Sequence, residues 1–133
     1  MKRNKYFYLE ESACQTGKYL IRIDFNLLPD MSSKGSYAVL PARLLNLSFA
    51  QYLRFCRDCV GAEIIGKNTS YPIVYFKKTS AADTLVDLLN TIMAAGLWEK
   101  EHPDWRENTT YLSKKQSEFA DKMEALKNVC NIR

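Results

Sequence analysis

The chain has 133 residues, of which 47% are hydrophobic and 26% are charged, and its formal net charge is +4. These values are ordinary for a globular domain with its own core, so they exclude extensive disorder and predict a single domain over residues 1–133. No apolar run is long enough to cross a membrane or to act as a signal peptide. We therefore expect a cytoplasmic protein with reduced cysteines and no membrane partner.

Alternating apolar and polar residues near the N-terminus predict a β-hairpin. Its strands are expected over residues 5–10 and 19–25, with Thr16 and Gly17 in the loop between them. Residues 29–35 have the composition of a loop, because proline, aspartate, serine and glycine dominate this stretch.

A third strand and the first helix are expected next. The strand is predicted over residues 36–40 and ends at Pro41. Ser48 can cap a helix that Gly61 ends, since serine favours the N-cap and glycine the left-handed position after a helix. The apolar residues of this helix recur at helical spacing and are Phe49, Tyr52, Leu53, Cys56 and Val60.

The next segment predicts a second hairpin and a second helix. Its strands are expected over residues 62–66 and 71–77, with a turn over residues 67–70. The helix is capped by Ser80 and ended by Gly96. Its buried stripe is expected to consist of Leu85, Leu88, Leu89, Ile92 and Met93.

The C-terminal part predicts an irregular, charged connection over residues 97–109 and a last helix over residues 110–129. One stripe of the helix recurs at spacings of three and four: Leu112, Gln116, Phe119, Met123, Leu126 and Cys130. This stripe favours packing of the helix onto the rest of the domain. A homodimer through the same stripe is the alternative.

The predicted order of elements is β-β-β-α-β-β-α-α, which defines an α+β fold. Residues 36–95 give the order β-α-β-β-α, a ferredoxin-like core that lacks its last strand. We expect the N-terminal hairpin to supply that edge. The sheet would be antiparallel or mixed, its helices would lie mainly on one face, and the C-terminal helix would be an addition to this core.

The sequence offers few groups for catalysis or metal binding. Cys56 and Cys59 form a CxxC motif, but it falls in the last turn of the predicted helix, where the helix dipole does not activate a thiol. Zinc at this motif would need further ligands from Cys14, Cys130 or His102, the single histidine. No glycine-rich phosphate loop is present. We therefore expect a non-enzymatic protein without metal or cofactor, in which Cys56 packs in the core.

The second predicted hairpin carries a candidate nucleic-acid surface. Tyr71 and Tyr75 share one face of their strand, and the lysines around them are Lys67, Lys77 and Lys78. Aromatic rings beside cations can stack on unpaired bases. Residues 1–78 also carry twelve Lys and Arg against six Asp and Glu, an excess that suits an anionic partner. A module that binds single-stranded RNA or DNA is the first function hypothesis.

The same strand resembles the third strand of the RNA recognition motif. Tyr71, Val74 and Phe76 match the pattern of that family, whereas Thr69 and Ile73 depart from it. The resemblance implies a sheet whose aromatic residues stack on RNA.

Trp98, Trp105 and Arg106 form a second candidate surface in the predicted connection. Tryptophan and arginine are the residue types that most often dominate the binding energy of protein interfaces. The alternative function hypothesis is therefore an inhibitor or adaptor, of the kind encoded by mobile elements, that binds a protein partner through these residues.

Overall fold

Two antiparallel hairpins contain the β-strands of the described residues. The computed structural model describes most of the chain, namely residues 5–29, 39–66, 68–69 and 72–130. In the first hairpin β1 (Phe7–Glu11) pairs with β2 (Tyr19–Ile23), and in the second β3 (Glu63–Ile65) pairs with β4 (Ile73–Tyr75). Both predicted hairpins are confirmed, with strands shorter than expected.

A β-bridge joins the two hairpins. The backbone N–H of Tyr19 donates to the carbonyl oxygen of Phe76 at 2.8 Å, and the N–H of Phe76 donates to the carbonyl oxygen of Tyr19 at 2.7 Å. The end of β4 therefore lies beside β2, and the side chains of both hairpins alternate between an inner and an outer face. The inner face is buried in the hydrophobic core through Phe7, Ile21, Ile23, Val74 and Phe76.

A short helix, α1 (Val39–Leu44), lies where the sequence predicts the end of a strand. The strand predicted over residues 36–40 is therefore wrong at Val39 and Leu40, and its other three residues lie outside the described part. From the sequence, Pro41 is expected to end a strand. In the structure Pro41 lies in the first helical turn, where the missing N–H of proline removes no intrahelical hydrogen bond. Pro41 and Leu40 are both buried, so tertiary packing outweighs the local preference for a strand.

The second helix begins and ends as its sequence predicts. In α2 (Phe49–Phe55) the Ser48 hydroxyl accepts the N–H of Gln51 at 3.1 Å, and the Gln51 side chain accepts the N–H of Ser48 at 3.0 Å. This reciprocal cap satisfies two N–H groups that a helix start leaves without partners. The helix continues as a π-helical turn, Cys56–Val60, which ends at Gly61 in the left-handed conformation with φ 82°.

The third helix is longer than the sequence predicts. In α3 (Ser80–Glu101) the hydroxyl of Thr79, and not that of Ser80, caps the N-terminus by accepting a backbone N–H at 3.2 Å. The prediction that this helix ends at Gly96 is also wrong, because the helix runs through that residue. A glycine ends a helix only where the chain turns into the left-handed region, and here the flanking residues keep helical contacts with the core. The first residues of the predicted irregular connection are therefore helical.

The last helix packs against α3. The two are joined by a short 3₁₀ turn (Trp105–Glu107), after which α4 (Thr109–Cys130) extends over 22 residues. Leu126 is its one fully buried side chain, and Lys122 forms an ion pair with Asp87 of α3 at 2.5 Å. The prediction that the stripe of this helix packs onto the domain holds only in part: Leu126, Phe119 and Cys130 join the core, whereas Gln116 and Met123 are exposed. A homodimer through the helix stays a prediction.

The described elements form an α+β fold, as predicted from the sequence. Their order is β-β-α-α-β-β-α-α, because α1 occupies the place of the third predicted strand. The β-α-β-β-α order of a ferredoxin-like core is therefore not present among the described residues. The inner face of the hairpins, α2 and α3 share one hydrophobic cluster, which leaves the outer sheet face and the α3–α4 junction at the surface.

Candidate functional site

The CxxC motif lies in the π-helical turn, and its first thiol is in the core. Burial raises the pKa of the Cys56 thiol to about 12, although a hydrogen bond with the Tyr52 hydroxyl acts in the opposite direction. Burial and the nearby Asp58 carboxylate also raise the pKa of Cys59. Neutral thiols are poor nucleophiles and poor metal ligands at physiological pH. No group of three or more potential ligands converges on a metal position within the described residues.

His102 belongs to a cluster of aromatic side chains at the junction of α3 and α4. Its imidazole ring stacks on the indole of Trp98, with ring centroids 4.0 Å apart and an interplanar angle of 14°. Its Nδ1 lies 2.8 Å from the carbonyl oxygen of Trp98. Because a carbonyl oxygen only accepts, Nδ1 carries the proton and donates. These contacts orient the imidazole along the last turn of α3.

Both faces of the Trp98 ring are covered. Tyr111, in the first turn of α4, stacks on the ring at 4.1 Å with an interplanar angle of 21°, and His102 stacks on it at 4.0 Å. The Tyr111 hydroxyl donates to Glu99 Oε2 at 2.7 Å and so connects α4 to α3. Burial, followed by the hydrogen bond and the charge of Glu99, raises the pKa of Tyr111 to about 12. Trp98 therefore holds the junction together and presents neither face to a ligand.

Trp105 is the half-buried ring of this cluster that carries a cation. Its indole meets the Tyr111 ring edge-on, with centroids 6.3 Å apart and an interplanar angle of 76°. The guanidinium carbon of Arg106 lies 4.5 Å from the Trp105 ring centroid, which is within cation–π range. Arg106 is exposed and forms no ion pair with any described residue. We refer to Trp98, His102, Trp105, Arg106 and Tyr111 as the aromatic corner.

The corner contains all three residues that the sequence singles out for protein binding, together with His102 and Tyr111. Trp98, Trp105 and Arg106 all lie at this corner, and neither tryptophan is fully buried, but Trp98 lies in α3 and not in the irregular connection that the sequence predicts. Tyr111 and Glu99 are missed by sequence reasoning. The sequence would predict these two residues as part of the site only if the helix were expected to continue past Gly96. That continuation places the last turn of α3 beside the start of α4.

The second candidate surface is the outer face of the second hairpin. Ile73 is exposed and Tyr75 half-buried, whereas Val74 and Phe76 are buried, which confirms the predicted alternation. The match to the RNA recognition motif therefore places Val74 and Phe76 in the core. Of the residues predicted to bind nucleic acid, Tyr75, Lys77 and Lys78 are described, and Lys67 and Tyr71 lie outside the described residues.

The cations on this face are largely paired with carboxylates. Lys78 forms an ion pair with Asp83 at 2.7 Å, whereas Lys77 forms none with a described residue. Lys18 lies 5.4 Å from the Tyr75 ring centroid, and its Nζ is 2.6 Å from Glu63 Oε1. A phosphate at Lys18 or Lys78 would have to compete with a carboxylate that is already in place. The sequence does not predict Lys18 as part of this face, because its position depends on the bridge between β2 and β4.

Two isoleucines lie side by side on the same face. Ile65 and Ile73 are directly opposite each other across the β3–β4 ladder, and they are 43% and 42% exposed. An adjacent pair of exposed aliphatic side chains offers contact area but no charge. This part of the face is therefore apolar, unlike the lysine-ringed surface that the sequence predicts.

Charge is balanced over the described residues. They contain fourteen Lys and Arg and fourteen Asp and Glu, so the excess of +4 comes from positions outside them.

Among the described residues, no helix combines the length and the apolar character that crossing a membrane needs. Comparison with models of protein families, with curated proteins and with solved structures gave no match to this chain.

Proposed function

We propose that this protein is a non-enzymatic binding module, an inhibitor or adaptor, and that its aromatic corner docks a protein partner. One observation carries the proposal: the half-buried ring of Trp105 carries on one face an exposed arginine that has no carboxylate partner among the described residues. A large ring that is rigidly placed and easily uncovered is the kind of group that dominates binding energy at protein interfaces.

The surroundings of Trp105 support this role because they are already ordered. Trp98 is held between two rings, and Tyr111 is tied to Glu99 by a 2.7 Å hydrogen bond. A partner that contacts Trp105 would therefore order few additional side chains. Each side chain that need not be immobilised spares the complex about 0.5–1.5 kcal/mol.

The charge distribution favours a protein over a nucleic acid at the described surface. Phosphate contacts supply most of the affinity of nonspecific nucleic-acid binding, and they require free cations. The described residues carry no net charge, and Lys18 and Lys78 are paired with carboxylates. Protein interfaces have no such requirement, since their centres are depleted in charge and enriched in aromatic residues.

Site-specific cross-linking tests this function. A photoreactive amino acid at position 107, next to Trp105, should give a discrete protein adduct in the cells that make the chain. The same group at position 57, in the π-helical turn, is the control and should not. With the captured partner purified, we expect Trp105→Ala to weaken binding about 30-fold, which corresponds to a hot spot of about 2 kcal/mol. Tyr75→Ala should bind as the wild type does. Equal affinity of the wild type and Trp105→Ala would refute the proposal.

Single-stranded nucleic acid at the outer sheet face is the second candidate. Lys77 is exposed without a carboxylate partner among the described residues, and Lys18 lies over the Tyr75 ring, so a cation and a ring are adjacent. Such a pair can hold a phosphate and stack a base.

Fluorescence anisotropy with labelled RNA and DNA pools across a salt series tests this second candidate. Micromolar binding that weakens linearly in log salt, and that Tyr75→Ala with Lys77→Ala reduces, would support it. Binding that is absent at low salt, or unchanged in the double variant, would rule out this face.

A further inference from the structure

We infer that the partner segment at the aromatic corner is basic and that it places an arginine side chain on the Trp105 ring. This inference rests on the proposed function and specifies the chemistry of the partner. Its starting point is that the ring already holds a guanidinium, which is that of its own neighbour Arg106 at 4.5 Å.

Trp105 is the tryptophan of the corner that holds a cation. Trp98 is instead stacked against His102 and Tyr111, with ring centroids 4.0 and 4.1 Å apart. Trp105 meets Tyr111 in a T-shaped arrangement and is stacked against no other ring of the described corner residues. Tryptophan is also the aromatic residue that attracts cations most strongly.

Little besides the cation–π contact with Trp105 holds the Arg106 side chain in place. Its side chain is exposed and makes no ion pair with a described residue, although Asp104 and Glu107 are close to it in sequence. An exposed guanidinium over an aromatic ring contributes only about 0.5–1 kcal/mol. An arginine from a partner can therefore replace Arg106 with little loss, and the displaced side chain is then solvated.

The charge around Trp105 selects a cationic partner. Three exposed carboxylates of the same segment form no ion pair with any described residue: Glu101, Asp104 and Glu107. Once Arg106 has left the ring, its positive charge is no longer held beside the carboxylates. The carboxylates can then interact with the incoming cation. A basic segment satisfies the ring and the carboxylates together, whereas an acidic segment would be repelled by the carboxylates.

The two tryptophans of the chain both lie in this corner, so their fluorescence, excited selectively over that of the tyrosines, reports on it alone. The probe is a short peptide of alternating arginine and glycine, and a peptide with glutamate in place of arginine is its control. We expect the arginine peptide, and not the glutamate peptide, to change the tryptophan emission saturably. Anisotropy of the labelled peptide gives its Kd for each variant of the full chain.

Three variants separate the proposal from its alternatives. Arg106→Ala uncovers the ring and should bind the peptide about two- to five-fold more tightly, as expected for loss of a competing cation–π contact at an exposed site. Trp105→Ala removes the ring and should bind the peptide about two- to five-fold more weakly than Arg106→Ala, in which the ring is uncovered. Lys77→Ala, which removes an exposed cation elsewhere, is the control and should bind as the wild type does. Weaker or unchanged binding by Arg106→Ala would overturn the inference, because Arg106 would then not compete for the ring.

The failure of this inference can be told from failure of the proposed function. If the arginine peptide does not bind, or the glutamate peptide binds better, while the cross-link at position 107 still captures a partner, the corner docks proteins but the basic segment is wrong. If the arginine peptide does not bind and the cross-link at position 107 captures no partner, both the inference and the proposed function are wrong. A peptide that binds equally well after neutralisation of the carboxylates in Glu101→Gln, Asp104→Asn and Glu107→Gln would also overturn the inference.

Discussion

The side-chain amide of Asn90 pairs with the backbone of Phe7 as a neighbouring strand would. The Phe7 N–H donates to Asn90 Oδ1 at 2.8 Å, and Asn90 Nδ2 donates to the Phe7 carbonyl oxygen at 2.9 Å. In an antiparallel ladder, alternate residues turn these groups away from the partner strand. At Phe7 an amide from α3 satisfies them, which fixes the first hairpin on the long helix.

Replacement of Asn90 by alanine should lower the free energy of unfolding by about 1–3 kcal/mol, because it leaves two partly buried backbone groups of Phe7 without partners. Urea unfolding followed by circular dichroism measures this change. Asn128→Ala removes an exposed amide from α4 and should alter stability by less than about 0.5 kcal/mol. Equal stability of the two variants would show that water replaces the Asn90 amide without loss.

Gly96 should be replaceable with a gain in stability. It lies inside α3, and a Cβ built on it meets no atom within 4 Å. Alanine in place of glycine at such a position adds about 0.5–1 kcal/mol, chiefly by restricting the unfolded chain. The expected result for Gly96→Ala is therefore a higher urea midpoint with an unchanged dependence on urea concentration.

Gly61→Ala is the matched control for that substitution. A Cβ at Gly61 also meets no atom within 4 Å, but the residue has φ +82°, where an L side chain is strained. This variant should be less stable than the wild type by about 1 kcal/mol or more. A gain at both positions would contradict the left-handed end of the π-helical turn.

Gly96 and Pro41 also show why part of the fold was not predictable from the sequence. Glycine usually ends helices and proline usually ends strands, so local rules place a boundary at both positions. In the folded chain, buried neighbours carry the helix through Gly96 and start a helix around Pro41. Signals that rest on local hydrogen bonds, such as the Ser48 cap, were predicted correctly.

The same distinction applies to the candidate sites. Residue type alone predicts Trp98, Trp105 and Arg106 as candidates for protein binding, since these types dominate protein interfaces. Tyr111 was not, because its contact with Trp98 depends on where α3 ends and α4 begins. Lys18 was missed for a similar reason, since only the pairing of β2 with β4 brings it to Tyr75.

Stability should fall at alkaline pH, partly because of Cys56. Burial raises the pKa of this thiol from its ordinary value of 9.0 to about 12. Between these values the unfolded chain has released the proton and the folded chain still holds it, so the free energy of unfolding falls as pH rises. The stability is fully present below pH 9 and is lost toward pH 12.

Urea unfolding at several pH values between about pH 8 and about pH 11 measures this dependence. Cys56→Ala should show a shallower decline than the wild type, although tyrosines still contribute to it. Cys14→Ala removes an exposed cysteine and should keep the wild-type slope. If all three slopes agree, the Cys56 thiol ionises as readily in the folded chain as in the unfolded one.

The two tryptophans should differ in what they contribute to stability, because Trp98 is stacked against two rings and Trp105 against none of the described corner residues. Trp98→Ala removes two stacked ring pairs, each worth about 0.5–1.5 kcal/mol, and should lower the free energy of unfolding by about 1–3 kcal/mol. Trp105→Ala removes one edge-on pair and an exposed cation–π contact, so a smaller loss of about 1–2.5 kcal/mol is expected. Urea unfolding followed by circular dichroism compares them without relying on the tryptophan signal. A larger loss at Trp105 than at Trp98 would make Trp105 a structural residue and would argue against its role as a docking point.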